Sequence, residues 1–139
     1  MIDKGEKLPY PLECAVIYYS GSTPAPEGLP IGSCGPTTSA RMDVYAPLLY
    51  DMGVTATIGK GERSRDVVDA IHRNKAVYFC ALGGAGALAA QSVTSCGVIA
   101  FEDLGCEAVK RLELHDFPLI VGIDCHGGNL FEHNRLGKE

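Results

Sequence analysis

Short runs of β-branched and aromatic residues, separated by stretches rich in glycine, proline and charge, set the rhythm of this chain. Cys14 to Ser20 (Cys-Ala-Val-Ile-Tyr-Tyr-Ser) is the first such run and predicts a buried strand. Val54 to Ile58, Ala76 to Ala81 and Cys96 to Phe101 predict three more. Pro118 to Ile123 predicts a last buried strand, with its proline at the start, where no ladder bond is lost. The intervening segments change period. Met42, Tyr45, Leu48, Leu49 and Met52 recur at helical spacing and Gly53 ends that helix, while Ser64 is placed to cap a second helix over Arg65 to Asn74. Pro47 complicates the first: either the helix kinks there, or Asp43 caps a second helix with Pro47 in its first turn. Gly83 to Ala90 reads as a closely packed helix start, and Glu102-Asp103-Leu104-Gly105 as a turn into a helix over Cys106 to Arg111. Helices and strands that alternate in this way predict a layered α/β domain.

Composition narrows the picture. With 139 residues, 46% hydrophobic and 21% charged, the chain can bury one sizeable core, so a single domain over 1–139 is expected. A formal net charge of −5 argues against nucleic acid as a partner, because phosphate binding needs clustered positive charge. The longest apolar run, Ala76 to Ala90, is shorter than a bilayer-spanning helix and is broken by glycines, and no basic-then-apolar leader opens the sequence. A cytoplasmic chain with no membrane partner is the expectation. The six cysteines (Cys14, Cys34, Cys80, Cys96, Cys106, Cys125) include no C-x-x-C pair, and several sit in apolar segments, so free structural thiols are expected rather than disulfides or a metal site in this chain. Cys34 and Cys106 are the two expected at the surface.

The stretch richest in candidate chemistry is Gly35-Pro36-Thr37-Thr38-Ser39-Ala40-Arg41-Met42-Asp43. It follows a long proline- and glycine-rich loop, Gly21 to Pro36, of a kind that in a compact domain is usually functional. Three hydroxyls before an apolar-periodic segment signal a helix start, and Arg41 in the first turn would complete a carboxylate or phosphate pocket there. A helix beginning at Thr37 or Thr38 would put Thr37 and Arg41 on one face. An ordinary capped helix with a surface arginine would give the same pattern. After the second strand comes Gly59-Lys60-Gly61-Glu62-Arg63-Ser64, where a lysine between glycines can meet a ligand at the carboxyl edge of a sheet or simply occupy a polar turn. Gly83-Gly84-Ala85-Gly86 gives only half of a dinucleotide-binding loop. Asp124-Cys125-His126 reads better as a hydrogen-bonded turn than as a metal site, since consecutive strand residues face opposite ways.

Five motifs in order carry a resemblance: Gly35-Pro36-Thr37-Thr38-x-x-Arg41-Met42-Asp43, Lys60-Gly61-x-Arg63-Ser64, Gly83-Gly84-x-Gly86-Ala87, Phe101-Glu102-Asp103-Leu104-Gly105 and Asp116-Phe117-Pro118. Together they resemble the C-terminal domain or β-subunit of class I fumarases and L(+)-tartrate dehydratases, over nearly all of the chain. The resemblance implies a swivelling β/β/α domain and a hydro-lyase that reversibly adds water to a small dicarboxylate. It implies a [4Fe-4S] cluster held by an iron–sulfur α-subunit, none bound by this chain, activity only with that partner, and a homo- or hetero-oligomer. By position it makes Thr37 the proton-abstracting residue, Arg41 a substrate-carboxylate ligand and Lys60 a substrate-binding lysine. It also implies an upstream segment with a second substrate arginine before Lys4-Gly5-Glu6, so the N-terminal segment of the family domain is expected to be missing.

The chemistry is consistent with those roles. Dehydrating a hydroxy-diacid takes a base for the carbon-bound proton, cationic donors for two carboxylates and a Lewis acid for the departing hydroxyl. Arg41 can hold a carboxylate bidentately and Lys60 supplies a point charge. A threonine is a weak base alone, and the resemblance places the carboxylate that helps it on the other subunit. Two other classes stay open at this point: a non-catalytic assembly or anion-binding module of the same fold, and a phosphate or nucleotide binder using Gly83 to Gly86.

Overall fold

The computed structural model describes residues 2–132 and has the mixed α/β content that the alternating pattern predicts. In chain order the strands are β1 (Val16–Tyr18), β2 (Ser20–Ser22), β3 (Cys34–Pro36), β4 (Ala56–Gly59), β5 (Val77–Cys80), β6 (Val93–Ala100), β7 (Val109–Leu114) and β8 (Ile120–Ile123). The α-helices are α1 (Ala46–Asp51), α2 (Arg65–Arg73) and α3 (Gly86–Gln91). Two compact units share the chain: residues 2–11, 21–35 and 85–117 build one, and 12–20, 36–84 and 118–132 the other. The paired strands β2 and β3 lie where the chain passes from one unit to the other, at the ends of the segment read as loop alone.

The second unit carries a sheet in the order β1-β4-β5-β8. β1, β4 and β5 run parallel, with Thr57 beside Tyr78 and Ile58 beside Phe79, and β8 closes the sheet antiparallel to β5. Parallel neighbours need a crossover, and α2 supplies it between β4 and β5. β4 sits centrally with every residue buried, so its sequence shows no polar alternation, and its one hydroxyl, on Thr57, is hydrogen-bonded. β1 and β8 are edges. The buried strands expected there are half exposed, with Val16 at 59% and Ile120 at 54%, because an edge strand has sheet on one side only. Tyr50, Val54, Val67, Ala70, Ile71, Tyr78 and Ile123 form the core between sheet and helices. The cap at Ser64 is formed as expected: its Oγ accepts from Val67 N at 3.4 Å.

The helix expected from Thr37 or Thr38 onward is not continuous. Ser39–Met42 is a 3-10 turn, and α1 starts separately at Ala46 with Pro47 in its first turn, so the second of the two arrangements holds for Pro47 but with Tyr45, not Asp43, at the N-cap. Thr38 makes no side-chain cap, and Asp43 does not cap α1 either. Thr37 lies before the turn, so the expected i, i+4 pairing of Thr37 with Arg41 on one helical face is overturned. The buried face also differs. Ala46 and Tyr50 point inward, while Tyr45, Leu48 and Met52 are 60%, 46% and 40% exposed, since the six residues of α1 present their smaller alanine and the long tyrosine to the core.

In the first unit β6 and β7 form an antiparallel hairpin, with Cys96 opposite Leu112 and Val98 opposite Lys110. The helix expected over Cys106 to Arg111 is absent. A 3-10 turn, Glu102–Glu107, entered through Phe101 at φ 56°, reverses the chain, and Val109–Leu114 then pairs with β6. Val109 and Leu112 fit helical spacing and Leu112 and Leu114 fit strand spacing; the partner strand decides. The close approach expected at Gly86 is there: a Cβ would come within 3.2 Å of Gly35 N.

All six cysteines are free thiols. Cys106 is exposed as expected, but Cys34 is buried at 0% exposure, because β3 pairs there instead of looping out. Thiol labelling of the folded chain should therefore modify Cys14 and Cys106 quickly and Cys34 only on unfolding. Burial also pushes the Cys80 thiol up, which should slow its reaction near neutral pH. Rapid loss of the Cys34 thiol under native conditions would contradict this placement.

Candidate functional site

The end of β4 meets the hydroxyl-rich stretch through the main chain. Lys60 N donates to Thr37 O at 3.2 Å, and Ser39 N donates to Lys60 O at 3.0 Å, so the segment continues the sheet beside Lys60 as a parallel bridge between Thr38 and Lys60. Thr37 N donates in turn to Tyr19 O at 2.8 Å, just past β1. These bonds pair Thr38 with Lys60 and bring the main chain of Thr37 against that of Lys60. They also explain Gly59, where a Cβ would collide with Ser39 Oγ and reach 3.2 Å from the Tyr19 ring. Gly59→Ala is expected to destabilise the chain by about 1–3 kcal/mol, the usual range for overpacking, as a lower urea midpoint with unchanged slope.

Lys60 and Arg41 are both exposed, and neither side chain has a hydrogen-bond or ion-pair partner among the described residues. The Lys60 stem runs past Gly83, where a Cβ would lie 3.5 Å from its Cδ and 3.9 Å from its Nζ. Those separations are ordinary van der Waals contacts, so they place the lysine stem beside Gly83 without requiring glycine there. Arg41 stands in the 3-10 turn that begins at Ser39, and Thr37 is half-buried. Thus the structure links Thr37 and Lys60 through the main chain, and ties Arg41 to them only through the turn. A cavity of about 200 Å³ lies elsewhere on this unit, lined by Val121, Gly122, Asp124, Gly128, Asn129 and Leu130, and none of the three expected site residues lines it.

Beneath this surface lies a polar cluster that sequence reasoning missed. Arg63, 4% exposed, donates from Nε to Asp43 Oδ1 at 2.6 Å and from Nη1 to Thr57 Oγ1 at 3.1 Å. Its guanidinium carbon is 5.4 Å from the centre of the Tyr19 ring and 4.9 Å from that of Tyr78, within cation–π range. Asp43 Oδ2 accepts from Ser64 N at 2.6 Å, so one carboxylate ties the end of the 3-10 turn to the start of α2. Proton counting fixes the rest. Tyr50 Oη lies 3.1 Å from Val77 O, which can only accept, so Thr57 donates to Tyr50 at 2.6 Å and keeps its lone pairs for Arg63. Burial holds the Tyr50 phenol at about 12 against the opposing hydrogen bond with Thr57, and raises Tyr19 and Tyr78 as well, so all three stay protonated at neutral pH. Burial works against the charge on Arg63, but Tyr19 and Asp43 outweigh it.

Nothing in the letters around Arg63 separates it from a surface arginine of a polar turn. The available signal was indirect: tyrosines in apolar strands must find partners for their hydroxyls. The Asp124 segment is the expected turn, its Oδ1 accepting from His126 N and Gly128 N at 2.8 Å each, and those amides hold its carboxyl below the usual range. Among the described residues no three His, Cys, Asp or Glu side chains are grouped to hold a metal ion. Among them, too, no helix is long and apolar enough to cross a membrane.

Comparison with known proteins gives the same direction. Fumarate hydratase class I, anaerobic, of Escherichia coli (strain K12) is 40% identical over 134 residues, 95% of this chain and 24% of that protein. Fumarate hydratase 2 of Leishmania major is 40% identical over 133 residues, 94% of this chain and 23% of that protein. A protein of Methanocaldococcus jannaschii provisionally named L(+)-tartrate dehydratase subunit beta is 37% identical over 138 residues, 95% of this chain and 71% of that protein. The chain thus spans about a quarter of the length of the fumarate hydratases it matches. The family model described as Fumarase C-terminus matches residues 1–134, and to that family this chain belongs.

Proposed function

We propose that this chain supplies the proton-abstracting and carboxylate-binding side of a hydro-lyase site for a small dicarboxylate, fumarate and malate or tartrate, completed by an iron–sulfur α-subunit. The observation that carries this reading is the main-chain pairing of Thr37 to Ser39 with Lys60, beside two exposed cations without partners of their own among the described residues. Two cations suit two carboxylates: Arg41 offers a planar fork and Lys60 a compact charge. Thr37 is the group for the carbon-bound proton, and the carboxylate that draws the proton from its hydroxyl is assigned to the partner. The cluster is assigned to the partner as well, which is consistent with a relative named as a β-subunit.

Two measurements test the reading. The chain purified without its partner should show no hydration of fumarate, and robust turnover by that cluster-free polypeptide would overturn the assignment. Reconstituted with the iron–sulfur subunit, it should turn over fumarate or tartrate. Malate or tartrate should also raise the melting temperature of the assembly in a manner lost in Arg41→Ala and Lys60→Ala. Stabilisation by neither diacid, with no turnover, would leave a non-catalytic assembly module.

A further inference from the structure

The Tyr78 hydroxyl occupies a position that the proposed chemistry does not itself require. It projects from β5, fully buried, and lies 2.9 Å from Ser39 Oγ and 2.8 Å from Gly61 O. A carbonyl can only accept, so the single phenolic proton goes to Gly61 O and the Ser39 hydroxyl donates to the tyrosine oxygen. Gly61 directly follows Lys60 and has φ +86°, while Ser39 stands two residues after Thr37. One buried oxygen therefore ties the segment carrying the proposed base to the segment carrying the proposed carboxylate ligand. It does so next to the two main-chain bonds that pair them, Lys60 N to Thr37 O and Ser39 N to Lys60 O.

We infer that Tyr78 is a positioning residue: its hydroxyl holds Lys60 at a fixed place relative to Thr37, and so sets how well a dicarboxylate is bound before its proton is removed. The inference rests on the hydro-lyase reading for its effect on catalysis, but not for its effect on the two segments. The geometry singles out the hydroxyl and not the ring. The ring packs against Arg63 and in the core and stays in Tyr78→Phe, whereas the substitution leaves Gly61 O without its donor and Ser39 Oγ without its acceptor. Gly61 is exposed, and a glycine at positive φ does not hold its own conformation, so the Lys60-Gly61 peptide depends on outside bonds to stay in place. The Lys60 side chain leaves the main chain at that peptide, so a shift of the peptide carries the lysine with it.

The test uses Tyr78→Phe in the full chain, alone and assembled with the iron–sulfur subunit. In the chain alone, the Ser39 and Lys60 amides should exchange with deuterium about tenfold faster than in the unmodified chain, the cost of one hydrogen bond, while the amides of α2 keep their rates. In the assembly, KM for the diacid should rise about tenfold with kcat changed by less than about threefold, the signature of lost ground-state binding. Ser39→Ala should shift KM in the same direction, and the double substitution should cost less than the two singles combined. A merely structural tyrosine would speed exchange across the whole unit and lower the amount of active enzyme at constant KM. Unchanged exchange at Ser39 and Lys60, or an unchanged KM in an active assembly, would overturn the inference. An unmodified assembly with no activity on any diacid would overturn the hydro-lyase reading instead, and the exchange rates would still decide the role of the hydroxyl.

Discussion

Arg63→Ala is expected to lower the free energy of unfolding by about 3–5 kcal/mol, the range for removing one partner of a buried ion pair. Three losses combine. Asp43, whose side chain is 12% exposed, keeps its charge and loses its guanidinium. Thr57, 1% exposed, loses a donor to an oxygen that has already given its own proton to Tyr50. The Tyr19 and Tyr78 rings lose the flat cation packed near them. Arg63→Lys should recover little, since a single ammonium cannot reach Asp43 and Thr57 from the separate nitrogens of a planar fork. Arg63→Met with Asp43→Asn should be milder than the sum of the single changes, because it removes both charges together. Urea unfolding with an unchanged slope would read these differences as midpoints. A stability loss below about 1 kcal/mol for Arg63→Ala, the level of an exposed pair, would mean that the pair is not buried as described.

That cluster also shows where reading letters stops. β4 and β5 were legible because each lies in an apolar run with glycine close after it, and α2 because a serine cap precedes an amphipathic segment, so local preference and burial agree there. α1 was harder. Its apolar spacing would suit a buried stripe, yet Tyr45, Leu48 and Met52 face outward while Ala46 and Tyr50 pack, a choice set by the sheet and α2 rather than by the helix itself. The helix expected over Cys106 to Arg111 overlaps the start of β7, where Val109 to Arg111 carry too little pattern to fix a period until the partner strand is known. Within the site, Thr37, Arg41 and Lys60 were reachable by chemistry and family likeness. Asp43 was read only as a possible cap, and Arg63 and Tyr78 had no visible role. Arg63 meets Asp43 across 20 residues of sequence and Tyr78 meets Ser39 across 39, and such distances are closed only by the fold.

The sharpest expectation about the chemistry concerns Thr37. In the reconstituted assembly, Thr37→Val should reduce kcat by about 10²–10⁴-fold, the span for loss of a general base, while leaving KM nearly unchanged. Its main-chain bonds to Tyr19 O and from Lys60 N involve no side-chain atom, so an isosteric valine preserves the bridge to Lys60 and removes only the hydroxyl. Thr37 is half-buried and its hydroxyl enters none of the buried tyrosine contacts, so the unfolding midpoint should hardly move. Thr37→Ser should keep a measurable part of kcat, because a hydroxyl remains near the same position with more rotational freedom. Lys60→Ala and Arg41→Ala should differ in kind. Each removes a cation that grips carboxylate in both ground and transition states, so KM should carry most of their effect. The contrast between a kcat defect at Thr37 and KM defects at the two cations is what the proposed division of labour requires. If Thr37→Val turned over at the unmodified rate, the proton would be leaving through another group, and Thr37 would be reduced to the backbone link that holds Lys60.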